Sequence, residues 1–292
     1  MVDPFRESSE PASDEDLLSA WIAGNRAALE CLLSRHQPWI FNIAVRMLWR
    51  HADAEDATQD ILIKVLRGLP EFRGHSRFRT WLYRIAVNHI LNLKKDKWHV
   101  AERVCSFEQA SRLLEQTPDY DPPDPRTVPV PIEILAAETG TSCMIGTLLC
   151  LDGRQRLVFV LGEVFGVNDR VGAEIAAVTP ANFRQILSRA RRDLYEFLRG
   201  NCSLVNPAAP CKCGRKTRAF IEGGCVDAER RQFTSQYRHR VREVADERSA
   251  ELTEMYMKTG ADVYREHPFY EPAQLAAKLS AALQDVSIED AR

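Results

Sequence analysis

No stretch of this sequence approaches the roughly 18 consecutive apolar residues that a membrane-spanning helix needs, so membrane insertion is not expected. The start is unlike an export signal, which opens basic and continues apolar. Met1–Asp16 instead carries six acids (Asp3, Glu7, Glu10, Asp14, Glu15, Asp16) against one base, Arg6. Alternating runs of β-branched residues are missing, which argues for an all-α class. There is no internal repeat. No Gly-rich phosphate loop and no nucleophile–base pairing stands out, so nothing supports enzymatic chemistry and the chain is not expected to be an enzyme.

What is present is enough for about two domains at roughly 150 residues each: 292 residues, 45% apolar and 27% charged. The net charge of −2 hides strong clustering. Between Arg73 and Lys97 stand seven cations (Arg73, Arg77, Arg79, Arg84, Lys94, Lys95, Lys97) and one acid, Asp96. Phosphate binding responds to the local field rather than to the sum, so this segment suits nucleic acid. Residues 115–131 hold six prolines and four acids and cannot form a helix or a central strand. The expected organisation is an acidic tail at 1–14, a helical domain at 15–100, a linker at 101–140, a second helical domain at 141–200 and an extension at 201–292.

In the first domain, Leu29, Leu32, Leu33, Ile40, Ile43, Ala44 and Met47 make one apolar helix face. Ala54, Ala57, Ile61, Val65 and Leu69 make another, on a helix over about 53–69 that ends before Pro70. The first turns of this helix are acidic. Acids there suit the helix dipole. Yet Asp53, Asp56 and Asp60 share one face, where like charges repel by a few tenths of a kcal/mol per pair. A basic partner surface is the sharper explanation. A third helix, over about 77–95, buries Phe78, Trp81, Leu82 and Ile85 and shows a polar stripe of Arg84, Asn88, Asn92 and Lys95. Such a stripe is either a solvated face or one that reads nucleic acid, and its two Asn favour the second because Asn can hold exposed bases. The preceding loop, Phe72–Arg77, mixes an aromatic, Gly and cations, which suits stacking on single strands.

In the second domain, residues 172–192 read as helix, turn, helix. Thr179 is the N-cap and Pro180 the first helical residue. Phe183, Leu187, Ala190 and Leu194 point inward. Arg184, Gln185 and Ser188 point outward near the N-terminal end, where a recognition helix meets base edges. Arg189, Arg191 and Arg192 can hold phosphates.

Together these segments resemble bacterial RNA polymerase sigma factors of the extracytoplasmic-function (ECF) group, over about residues 15–200. The carrying stretches are DAEDATQDILIKVLRGLPEF (Asp53–Phe72), FRGHSRFRTWLYRIAVNHILNLKK (Phe72–Lys95) and GVNDRVGAEIAAVTPANFRQILSRARRDL (Gly166–Leu194). The resemblance implies two helical sigma domains joined by an acidic Pro-rich linker, and a protein of the bacterial cytoplasm. It implies that Asp53, Asp56, Gln59 and Asp60 face the polymerase clamp. Arg77, Arg79, Arg84, Asn88, Asn92, Lys94 and Lys95 would meet the minus-ten element, locally melted. Arg184, Gln185, Ser188, Arg189 and Arg191 would meet the double-stranded minus-35 element. The linker acids Glu115, Asp119, Asp121 and Asp124 would mimic nucleic-acid charge. The sequence departs from the family at Ala177, where the turn usually has Gly, at Gly172, where a larger apolar residue is usual, and at Ile186, where a basic residue is common. The alternative is a free-standing helix-turn-helix regulator, which has no need of the acidic helix.

The extension lies beyond the family core. Cys202, Cys211, Cys213 and Cys225 offer four thiolates to a zinc ion, with His239 as a substitute ligand. Their spacing is not the common C-x2–4-C, and packing or redox sensing remain alternatives. Cys31, Cys105, Cys143 and Cys150 are expected to be inert packing residues. The cations of Lys212–Arg218 would either touch phosphate or be solvated. A helix over about 227–258 and a Leu275, Leu279, Leu283 stripe need an apolar partner. Many ECF factors are held by a separate anti-sigma protein, and the extension could do that job in cis.

Overall fold

The computed structural model describes residues 12–93, 106–121 and 131–228. The apolar stripes from Phe233 to Leu283, His239, Cys105, Asp124, Lys94 and Lys95 lie outside them. Among the described residues there are ten α-helices, and the only β-type pairing is an isolated bridge between Cys202 and Cys211. These helices form two compact units that interleave along the chain. The first holds residues 12–93 and 160–186, and the second holds 106–121, 131–159 and 187–228.

The first unit is built from α1 (Asp14–Ile22), α2 (Arg26–Leu48), α3 (His51–Gly68), α4 (Phe78–Asn92), α8 (Asp169–Ile175) and the start of α9 (Pro180–Asn201). Ser13 caps α1 through a capping box with Asp16. Asp14, expected in the tail, therefore opens a helix and is buried. The two apolar stripes expected on α2 and α3 are buried in full. At about 1.5–3 kcal/mol for each large aliphatic side chain taken from water, these faces dominate the stability of the unit. On α4 the buried face is Phe78, Leu82, Tyr83, Ala86, Val87 and Ile90. Trp81 and Ile85, expected inside, are only half-buried. Trp81 lies on Gly68, where an added Cβ would come 3.3 Å from its ring, and stacks with Phe72 at 5.0 Å between centroids. Phe72 is thus committed to an aromatic cluster with Phe78 and Trp81 rather than offered freely to bases.

The helix-turn-helix forms as expected, with Asn168 capping α8 and the Thr179 hydroxyl accepting from Asn182 N–H at the start of α9. Two of the three departures from the family pattern, Ala177 and Gly172, have a physical account. Ala177 adopts the left-handed φ of 52° that the turn needs, at a cost that Gly would not incur. Gly172 makes room for Phe183, whose ring would lie 2.5 Å from a Cβ at that position. The Phe183 ring on α9 thus fills the space that a side chain at position 172 of α8 would need.

The second unit comprises α5 (Phe107–Gln116), α6 (Ile132–Thr147), α7 (Gly153–Phe159), the remainder of α9 and α10 (Cys213–Glu222). The linker expected over 101–140 therefore contains α5 and the first half of α6. The start of the extension contains α10, which packs on α6. Ile132–Cys150 is apolar and long enough to cross a membrane by composition, contrary to the reading of the sequence, but more than half of it is buried within the protein, as in a core helix. Arg156 is buried and donates to the carbonyls of Leu148, Leu149 and Leu151 at 2.8, 3.2 and 3.0 Å. It thereby ties together carbonyls of the turn that follows α6. Burial lowers its pKa to about 10, so it stays charged at neutral pH.

Candidate functional site

The acids of α3 sit opposite its buried stripe. Asp56 and Asp60 are exposed, and Asp53 and Gln59 are half-buried. Asp53 lies 4.0 Å from Arg50, and Asp60 3.8 Å from His89 on α4. Neither pair neutralises the face, since Asp56 stands between them and open to solvent. This surface can receive a cationic partner.

On α4, Arg84, Asn88 and Asn92 are exposed along one side, and Arg77 is exposed at the N-cap. A guanidinium and two amides at successive turns can hold phosphates and hydrogen-bond base edges. Arg79 departs from the expected set. Its side chain is largely covered and bonds the carboxylate of Asp14.

Asp14 gathers three partners from two other helices. Arg35 on α2 donates at 2.7 Å, His36 at 3.0 Å, and Arg79 closes the group from α4. Burial alone would raise the Asp14 pKa. The hydrogen bonds from His36, Arg79 and Arg35 outweigh it and hold the carboxyl well below the usual range. Burial likewise lowers the pKa of His36 and keeps it neutral. Since a carboxylate only accepts, Nε2–H of His36 donates to Asp14, and Nδ1 faces the Tyr83 hydroxyl at 3.4 Å. This cluster ties α1, α2 and α4 together, so it sets where the α4 stripe is presented. Sequence reading missed it. The Ser13/Asp16 capping box was the available signal that the acidic tail ends in a helix.

On α9, Arg184, Gln185, Ser188 and Arg189 are exposed, while Arg191 is half-buried. Arg184 pairs with Asp169 on α8. That pair is solvent-exposed, so a phosphate can compete for the guanidinium. The interior of the motif is Phe183, Leu187, Ala190 and Leu194, all buried as expected.

The cations of α10 are largely engaged. Lys216 is buried and donates to the carbonyls of Leu114 and Thr117, with Asp119 at 3.0 Å. Arg218 lies over the Tyr120 ring at 4.6 Å and bonds Glu222. Tyr120 N–H donates to the Arg215 carbonyl at 3.0 Å. The start of the acidic linker is therefore bound to α10, and Asp119 is already matched by a cation.

The cysteines regroup. Cys143 on α6, expected to be inert packing, lines a cavity of about 20 Å³ together with Cys202, Cys211 and Cys213. Cys225 does not line it, and its sulfur faces the Gly223 carbonyl at 3.7 Å. Cys31, also expected to pack, is exposed. Among the described residues no three Cys, His, Asp or Glu side chains already stand in a ligating arrangement.

Residues 32–100 match the family model for Sigma-70 region 2, which spans α3 and α4. The RNA polymerase sigma factor YlaC of Bacillus subtilis is 30% identical over 172 residues, covering 58% of this chain and 91% of YlaC. The ECF RNA polymerase sigma factor SigM of Mycobacterium tuberculosis (strain H37Rv) is 31% identical over 180 residues, covering 54% of this chain and 90% of SigM. Among solved structures, CnrH in complex with the cytosolic domain of CnrY is 22% identical, with a TM-score of 0.45 over 63% of this chain and 96% of that one.

Proposed function

The chain belongs to the ECF sigma factors of RNA polymerase, and from that membership we infer that it binds core polymerase and directs promoter recognition, melting and initiation. It acts as a non-enzymatic initiation factor in the bacterial cytoplasm. The observation that carries this reading is the match over nine-tenths of a sigma factor's length, joined to an exposed acidic face on α3 and a polar stripe on α4. A free-standing regulator would need neither the length of the match nor the acidic face.

Each surface takes a role. Asp53, Asp56, Gln59 and Asp60 meet the basic clamp of the polymerase by charge complementarity, which steers encounter and fixes register. Arg77 and Arg84 hold backbone phosphates of the minus-ten strand, and Asn88 and Asn92 face its bases. Lys94 and Lys95, which follow α4 in the sequence, take the same role by the family motif. Arg79 acts on it indirectly, as the α4 anchor of the Asp14 cluster. Arg184, Gln185 and Ser188 face the minus-35 major groove, with Arg189 and Arg191 on flanking phosphates. Residues 201–228 are part of the second unit's fold, so any control exercised by the extension acts through a domain that it helps to build. An anti-sigma partner is a further candidate, competing for the α3 face.

The test is capture by purified core polymerase, followed by promoter-directed transcription. Wild type should bind and support initiation. Asp56→Lys/Asp60→Lys should lose capture by at least about tenfold, the equivalent of roughly 1.4 kcal/mol, with an unchanged helical spectrum. Equal capture of the charge-reversed variant would overturn the α3 assignment. Failure of the wild type in both assays would overturn the function.

A further inference from the structure

Four of the chain's eight cysteines reach one cavity from four separate places. Cys143 sits on α6, Cys202 just after α9, Cys211 in the following loop and Cys213 at the first position of α10. Three features hold them there. The backbone bridge between Cys202 and Cys211 is fastened by Ser203 N–H to the Cys211 carbonyl and Cys211 N–H to the Asn201 carbonyl, both 3.1 Å. Gly140, one turn before Cys143, lets the Cys213 sulfur lie against α6, where a Cβ would stand 3.4 Å from it. The Thr139 hydroxyl bonds that of Thr217, and Thr217 bonds the Cys213 carbonyl at 2.9 Å, so α6 and α10 are locked around the site.

We propose that Cys143, Cys202, Cys211 and Cys213 form a binding site for one thiophilic divalent cation of the zinc class. Zinc is held by four thiolates in a tetrahedron at about 2.3 Å. A cavity of about 20 Å³ admits one small occupant, since a single water needs roughly 10–15 Å³ by the same measure. Its other walls are apolar, with Leu114, Met144, Phe197, Leu198 and Leu204 contributing. No carboxylate or imidazole competes there, and soft sulfur ligands select zinc-class ions over magnesium or calcium. The four thiols line the cavity without yet standing in a ligating arrangement, so binding draws the sulfurs together around the ion.

The electrostatics of the metal-free thiols are consistent with this. Burial and the neighbouring sulfurs push Cys213 to about 12 and Cys211 to about 11 and raise Cys143, while burial alone raises Cys202. Every thiolate here is disfavoured by low dielectric, and three of the four also by another sulfur. A divalent cation removes both penalties, and each ligating thiol releases its proton to solvent as the metal–sulfur bond forms. The Lys216 ammonium favours the thiolate of Cys211 and offsets part of the resulting negative charge. The chain-order quartet that includes Cys225 is thereby replaced by one that includes Cys143, some sixty residues earlier in the chain.

The test uses the full chain, reduced, equilibrated with Zn²⁺ and desalted. Bound zinc is measured by elemental analysis, and Co²⁺ substitution is followed through sulfur-to-metal charge-transfer absorption. The expected result is about one zinc per chain and a thiolate-type tetrahedral cobalt spectrum. Cys143→Ser should weaken zinc by more than the roughly 10–100-fold that second-shell changes cost, whereas Cys225→Ser should bind as wild type. Cys213→Ser serves as a second ligand variant, and helical content by circular dichroism separates lost ligation from lost folding. Three results would each overturn the proposal: wild type without stoichiometric zinc, Cys225→Ser losing metal while Cys143→Ser retains it, or a cobalt spectrum without sulfur ligation. The test involves no polymerase, so its failure leaves the reading as a sigma factor standing.

Discussion

The two units fasten their helices through cations in different ways. In the first, Arg35 and Arg79 converge on a buried carboxylate, Asp14, with neutral His36 as a third partner. In the second, the buried cations Arg156 and Lys216 are met chiefly by backbone carbonyls at helix ends and turns. A carboxylate titrates and a carbonyl does not. The first unit therefore carries an acid-sensitive joint between three helices, whereas the second carries joints whose carbonyl contacts persist in acid and fail if the cation is removed. The joint that responds to pH is the one that positions the α4 surface.

The largest effect should come from Asp14→Ala. It leaves two guanidiniums with diminished partners and should destabilise the first unit by about 3 kcal/mol. Hydrogen exchange resolved by segment should show lost protection in α1, α2 and α4, with α6 and α10 spared. The same residue sets an acid slope. Its folded pKa lies below the unfolded value of about 3.9, so its stabilisation is complete above that value and is lost as pH falls towards the folded one. Asp14→Asn should flatten the slope. An unchanged slope would place the acid sensitivity elsewhere, with His51 the first alternative because burial lowers its pKa to about 4.

Next in size is Lys216→Ala, which strands the carbonyls of Leu114 and Thr117 and should cost about 2 kcal/mol. Protection should fall in α5 and α10, and Asp119→Asn should leave most of it in place. If Asp119→Asn cost as much as Lys216→Ala, Asp119 rather than the carbonyls would be the partner that matters.

The smallest effect tests shape rather than charge. Gly172→Ala places a Cβ against the Phe183 ring and should cost about 1–2 kcal/mol through overpacking. Phe183→Leu in the same chain should recover about 1 kcal/mol of that, which a thermal melt of the single and double variants would read. Additive losses would show that the small-for-large exchange between α8 and α9 is not a matched pair.

Much of the fold was legible because local periodicity reports burial directly. The stripes Ala54–Leu69 on α3 and Phe183–Leu194 on α9 are apolar at helical spacing, and both are buried. The outward faces followed by subtraction, so Asp56, Arg84, Asn88, Arg184 and Gln185 are exposed where they were expected. Periodicity misled where neighbours at a distance intervene. Trp81 fits an inward stripe but shares its side of α4 with Phe72 and Gly68, and is only half covered. Arg79 stands among promoter-facing cations in sequence, yet a carboxylate sixty-five positions earlier captures it.

The sequence by itself determined the main helices of residues 26–92, most of their buried faces, the helix-turn-helix and membership of the sigma factors, because each depends on residues within a few turns of one another or on a motif read in order. Tertiary structure alone decided which charges meet and which thiols gather. Asp14 with Arg79, Lys216 with the carbonyls of Leu114 and Thr117, and Cys143 with Cys213 are contacts across many tens of residues. No local pattern encodes them, because the free energy of such a contact depends on how the helices pack and exclude water around it.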